Sequence, residues 1–256
     1  MTSALIGHTG FVGSSLARRQ AFDFRFNRSN LDALRGREFG HVVCAGLPAA
    51  KWIANRDPAA DRANMLRLRD VLATVRAERF VLISTVDVYP QTQGCDESTD
   101  PSGLPNHAYG THRLEFERAV RERFPQACVL RLPALFGVGL RKNVIYDLIH
   151  RHQLEAINPA SRFQWFPLER LADDIARALG AGLELVNLVT PPIATATILQ
   201  RFFPDRVVGA GAAPAVAYDL HTCHARCFGG SGHYVSDESA VLDALARFLR
   251  EPAPVA

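Results

Sequence analysis

No stretch of this sequence approaches the ~18 consecutive apolar residues that a membrane-spanning helix needs. No membrane partner is therefore expected. The N-terminus, Met1-Thr2-Ser3-Ala4-Leu5-Ile6, lacks a charged segment followed by a long apolar core, so it reads as a strand rather than a secretory signal. Lys and Arg gather in no run. The 29 basic and 26 acidic residues leave a formal charge of only +3, too even a balance to suggest nucleic acid. An anionic small molecule stays compatible, since it needs only a few local cations. Cysteine is sparse and odd in number. The five (Cys44, Cys95, Cys128, Cys223, Cys227) fit no disulfide framework, and reduced thiols in the cytoplasm are the simplest account. Internal repeats and low-complexity segments are absent too.

What is present is the balance of an ordinary globule, 48% hydrophobic and 21% charged. A chain of 256 residues permits one α/β domain, or a large domain with a small C-terminal part. It can bury a core without a metal or disulfide staple.

Strand and helix patterns alternate from the start. Residues 4–6, 22–26, 41–45, 79–84 and 128–132 read as apolar strands. Helices are expected over 11–20, from Asp57-Pro58 to about Glu78, and over 108–123. Asp at the N-cap and Pro at the first helical position mark the start of the second. Residues 90–107 read as a loop. Beyond Gly137, helices are expected at 142–152, 170–180 and 193–202, a strand at 184–189, and a last helix from Ser236 to about Arg250. The tail after Glu251 reads as frayed. Near-continuous apolar strands separated by helices imply a parallel sheet covered on both faces. The expected fold class is α/β, a Rossmann-type doubly wound parallel sheet. Residues 1–137 form its dinucleotide-binding portion. Residues 138–256 complete the sheet and form a small substrate lobe.

The strongest motif is Gly7-His8-Thr9-Gly10-Phe11-Val12-Gly13, between a strand and a helix. Glycines allow the sharp turn and the close approach of a pyrophosphate, and the helix N-terminus offers free N–H groups. The second strand ends at Asn27-Arg28-Ser29, where an NAD site usually carries Asp or Glu for the ribose hydroxyls. Arg pairs well with phosphate. NADP(H) is therefore expected over NAD(H), with Arg28 and Ser29 holding the 2′-phosphate.

The Gly-x-x-Gly-x-x-Gly spacing and three later segments resemble the extended short-chain dehydrogenase/reductase family, its nucleotide-sugar epimerase/dehydratase group. Those segments are Ser84-Thr85-Val86-Asp87-Val88-Tyr89, Tyr109-Gly110-Thr111-His112-Arg113 and Arg131-Leu132-Pro133-Ala134-Leu135-Phe136-Gly137. The resemblance implies Tyr109 as acid/base, Thr85 as the residue orienting the reacting oxygen, and residue 113 as the neighbouring cation. Ala45, Gly46, Asn64, Ser84 and Pro133 complete the implied cofactor lining. Hydride transfer needs a proton donor or acceptor on the reacting oxygen, and a Tyr serves if a nearby cation lowers its pKa from ~10. Tyr109 and residue 113, four apart on a helix, share a face.

Two positions depart from the family. Residue 113 is Arg instead of Lys, wider and planar. Where 4,6-dehydratases carry Asp-Glu, this chain has Val86-Asp87, which argues against dehydratase and leaves epimerase and ketone reductase open. Substrate contacts are expected from Asp87 and from Phe163 and Trp165 by stacking, with Arg141, Lys142 or Arg162 facing a diphosphate. The substrate portion is short for a full nucleotide-sugar enzyme, so a smaller substrate or a completing partner subunit is compatible. The family also implies a homodimer through the helices at 57–78 and 108–123. Two rivals stand beside this reading. One is a zinc site built on His221, Cys223, His224 and Cys227, which lacks a second ligand pair at set spacing, so no metal is expected. The other is a non-catalytic dinucleotide-binding sensor or scaffold, suggested by Arg113.

Overall fold

The computed structural model describes residues 2–250; the tail after Glu251 lies outside them. Six parallel strands form the main sheet: β1 (Ser3–Ile6), β2 (Phe24–Phe26), β3 (Glu38–Cys44), β4 (Arg76–Thr85), β5 (Cys128–Leu132) and β8 (Leu185–Asn187). Their order is β2-β1-β3-β4-β5-β8. All five residues of β5 are buried, as a strand covered on both faces requires.

The helices α1 (Phe11–Arg19) and α6 (Leu171–Gly180) contact one another and cover one face, burying Leu16, Leu171 and Ile175. Helices α3 (Pro58–Leu72) and α4 (Ala108–Arg123) cover the other, burying Met65, Leu68 and Phe116. The chain leaves β1 toward β2 on one side, then builds outward from β3 on the other. The strand order therefore reverses between β1 and β3, and the crevice beyond their C-terminal ends is where open α/β sheets bind ligands.

The Asp57 carboxylate accepts the Ala60 N–H at 3.0 Å and Pro58 opens α3. The helix stops at Leu72, not near Glu78. Thr74 turns its hydroxyl onto the Val71 carbonyl at 2.7 Å and Val75 is buried. Residues 76–78 then join β4, whose first residue pairs with Glu38 of β3. Strand pairing overrides a sequence that reads equally well as helix.

Four elements carry no clear sequence signal. The short helix α2 (Lys51–Arg56) follows β3. Strands β6 (Ala134–Phe136), β7 (Arg162–Pro167) and β9 (Pro192–Ala194) form a second sheet. Its core holds Phe136, Trp165 and Ile193 with residues of α5 (Val144–His150), α7 (Thr195–Phe202) and α8 (Glu238–Arg250).

Candidate active site

The glycine loop turns out of β1 with Gly7 at φ +86°. A Cβ there would stand 2.2 Å from the Ala45 carbonyl oxygen, and one on Gly13 would stand 2.1 Å from that of Gly7. Both glycines are therefore required by backbone packing. The Gly7 N–H binds the Phe26 carbonyl at 2.7 Å, and the His8 ring nitrogen lies 3.0 Å from the same oxygen. Thr9 and Gly10 form an exposed rim. Gly10 caps α1 without a side-chain bond, and no acidic residue stands in its first turn. The N–H groups of Phe11, Val12 and Gly13 and the positive end of the helix dipole thus meet an open rim, which fits a dinucleotide pyrophosphate. Ala45 and Gly46 border the loop from the end of β3.

At the end of β2, Asn27 accepts from the Ser29 N–H at 2.9 Å and from its hydroxyl at 2.6 Å. Asn27 and Ser29 thus bind each other in a local turn. Arg28 is exposed and forms no hydrogen bond or ion pair among the described residues.

Thr85 closes β4, and α4 carries Tyr109 to it. His107 caps α4, its ring nitrogen accepting the Gly110 N–H at 3.0 Å. Gly110 lets the helix press close, since a Cβ there would lie 2.2 Å from the Asp87 carbonyl. The Tyr109 phenol is buried beside the Thr85 hydroxyl. Burial pushes that phenol above the ordinary tyrosine value. Arg113, Thr85 and Lys51 pull against the rise and Asp87 adds to it.

Arg113 lies with its guanidinium 4.3 Å from the Tyr109 ring centroid. Its fork closes on Asp61 at 2.6 and 2.9 Å and on the Pro48 carbonyl at 2.5 Å. The charge is thus met by a buried carboxylate. Asn64 bonds back to the Ala60 carbonyl of its own helix at 2.9 Å. The Ser84 hydroxyl donates to Glu117 at 2.5 Å, and Glu117 grips the buried Arg131. Pro133 follows β5 at the same edge of the sheet.

Asp87, beside Thr85, joins two residues that sequence reasoning missed. The Lys51 ammonium donates to Asp87 at 2.7 Å and to the Tyr218 hydroxyl at 3.2 Å, and that hydroxyl lies 3.1 Å from Asp87. Burial would lower the Lys51 ammonium, but Asp87 and Tyr218 outweigh it and hold its pKa above the ordinary value. No motif marks Lys51 or Tyr218; Lys51 opens the short helix α2 and Tyr218 stands in an irregular segment, 36 and 131 positions from Asp87. Phe163 stacks on Tyr218 with centroids 6.1 Å apart, so it borders the site indirectly. Trp165 corrects the expectation. It is 1% exposed inside the second core, where its ring fills volume and offers no face to a ligand. A cavity of about 410 Å³ between Arg18, Phe136 and Phe248 lies apart from Tyr109. Among the described residues no three His, Cys, Asp or Glu side chains cluster as metal ligands. No described helix is long and apolar enough to cross a membrane.

The model of the NAD dependent epimerase/dehydratase family matches residues 27–163. The chain belongs to this family. No curated protein matches it. Among solved structures, this epimerase/dehydratase-family chain is similar to a dTDP-glucose 4,6-dehydratase from Streptomyces venezuelae with NAD bound. The two are 17% identical over 98% of this chain and 96% of that one, with a TM-score of 0.75. A dTDP-4-dehydrorhamnose reductase from Yersinia enterocolitica is 13% identical over 97% and 99%, at 0.72. A UDP-glucose 4-epimerase from Thermotoga maritima is 15% identical over 88% and 91%, at 0.67. Likeness at these identities establishes the shared fold.

Proposed function

We propose that the chain is an NADP(H)-preferring epimerase or ketone reductase. It acts on a hydroxyl or keto carbon of a sugar nucleotide or related biosynthetic small molecule. The observation that carries this reading is the buried Tyr109 phenol that α4 sets beside Thr85 at the C-terminal edge of the sheet. That edge also carries the uncapped α1 N-terminus. When bound, the dinucleotide supplies the hydride donor or acceptor. Gly7 to Gly13 hold its pyrophosphate, and Ala45, Gly46, Asn64, Ser84 and Pro133 line its path. Arg28 takes the 2′-phosphate, with Ser29 once its hydroxyl leaves Asn27. Thr85 orients the substrate oxygen, and Tyr109 gives or takes the proton on it. Asp87 and Phe163 face the substrate, and residues 138–256 supply its lobe.

The family's nucleotide-sugar neighbours support the substrate class. The near-even charge supports a small molecule over nucleic acid. We further assign the chain to the cytoplasm and to a homodimer through α3 and α4. The sensor reading retains one observation in its favour, the closure of Arg113 on Asp61.

Fluorescence titration with NADPH and NADH tests the central claim. Tight NADPH binding that weakens selectively in Arg28→Ala supports it. Binding of neither dinucleotide overturns it. If NADPH binds but no keto sugar nucleotide is reduced or epimerised, the sensor reading stands instead.

A further inference from the structure

Of the 29 basic residues only two are lysines, Lys51 and Lys142. Arginine supplies every other cation of this chain, on its surface and in its buried pairs alike. Both lysines converge on one short segment: Lys142 donates to the Ala49 carbonyl at 2.5 Å, and Lys51 opens α2 two residues later. A compact ammonium differs from a guanidinium in being a point charge that can change protonation.

Lys51 binds Asp87, whose own N–H is bonded to the Thr85 hydroxyl at 3.1 Å. It and Asn55 are four apart on α2 and share a face. The Asn55 side-chain oxygen accepts the Tyr109 N–H at 3.0 Å, so that face of α2 is the one docked on Tyr109. Asp87 and the Tyr218 hydroxyl hold the ammonium in a triangle of 2.7, 3.2 and 3.1 Å. The Lys51 side chain is still 37% exposed. Arg113 differs in both respects. It covers the ring face of Tyr109, and its charge is closed on buried Asp61.

We propose that Lys51 is a second cation that serves Tyr109 beside Arg113, a positioning residue that stabilises the ionised phenol from the open side of the site, while Arg113 also holds α3 and the Pro48 carbonyl in place. The proposal rests on Tyr109 being the acid/base. Asp87 sets the strength of the effect. It holds the ammonium where it acts and cancels part of its charge. The signs follow from charge alone. Loss of the Lys51 charge makes the phenol harder to ionise. Loss of the Asp87 charge makes it easier, because a repelling carboxylate is gone and the ammonium is left uncompensated.

The test places a fluorinated tyrosine at position 109. Its ring fluorine reports its own ionisation by NMR, and its greater acidity brings the titration into an accessible range. The parent, Lys51→Met and Asp87→Asn are titrated with and without saturating NADPH. The fold of each variant is checked by thermal unfolding. Lys51→Met is expected to move the midpoint up by about one pH unit and Asp87→Asn to move it down. Opposite shifts cannot come from general loosening, which would move both the same way. An unmoved midpoint in a folded Lys51→Met, or shifts of the same sign in both variants, overturns the proposal. Should Lys51→Met fail to fold, Lys51→Gln takes its place, and an unmoved midpoint there is equally fatal. Failure of NADPH to bind any of the proteins counts against the dinucleotide reading and leaves the fluorine titration of the free protein to judge Lys51.

Discussion

At the scale of single residues, the glycine loop and Tyr109 make the sharpest demands. Gly13→Ala puts a methyl 2.1 Å from the Gly7 carbonyl. The loop must then open, and NADPH binding is expected to fall by more than tenfold in a fluorescence titration, about 1.4 kcal/mol or more. Tyr109→Phe removes only a hydroxyl, so dinucleotide affinity should survive. Turnover, once a substrate is found, should fall by roughly 10²–10⁴-fold in steady-state assays, the usual contribution of a general acid or base. Equal turnover in Tyr109→Phe and wild type would remove the tyrosine from the mechanism. These residues were legible because glycine spacing and a Tyr four residues before a cation are local patterns. Trp165 was misjudged because an aromatic residue in an isolated strand looks the same whether it faces a ligand or a core. Only its neighbours Phe136 and Ile193 decide.

At the scale of elements, two buried ion clusters tie helices to the sheet and to each other. Asp61 of α3 accepts from His112 at 2.8 Å and from Arg113, both on α4. Burial pushes the Asp61 carboxyl up, but the Arg113 and His112 hydrogen bonds outweigh it and hold the pKa below the usual 3.8. A carboxylate whose folded pKa is depressed stabilises the protein above its unfolded pKa, and that contribution fades as pH falls toward the folded value. The melting temperature of wild type should therefore drop below about pH 4, more steeply than that of Asp61→Asn. Parallel curves would show that the cluster has no linkage to pH. At neutral pH, Asp61→Asn leaves Arg113 buried without its counter-charge and should cost about 3–5 kcal/mol in denaturant unfolding. The second cluster joins Glu117 of α4 to Arg131 of β5 at 2.6 Å, and Arg131 to the Tyr89 hydroxyl at 2.7 Å. Neither cluster has a sequence signature. Asp61 and Arg113 are partners across 52 positions, and nothing in the local pattern of either helix selects the other.

At the scale of the whole molecule, α3 and α4 lie side by side on one face of the sheet. Sedimentation at micromolar concentration is expected to give twice the mass of one chain, with charge reversal at exposed positions of these helices favouring the monomer. A monomer across that range would refute the dimer. The parallel sheet was legible because hydrophobic runs, caps and glycines act over a few residues. The amino-acid order alone thus determined the α/β class, the glycine turn between β1 and α1, the place of Thr85 at a strand end and of Tyr109 on a helix, and the family. Tertiary structure decided the rest. It ended α3 at Leu72 through pairing with β3, buried Trp165, turned Arg113 onto Asp61, and brought Lys51 and Tyr218 to Asp87. Each of these depends on which distant segments share a space, because a charge or a ring takes its role from the groups that face it.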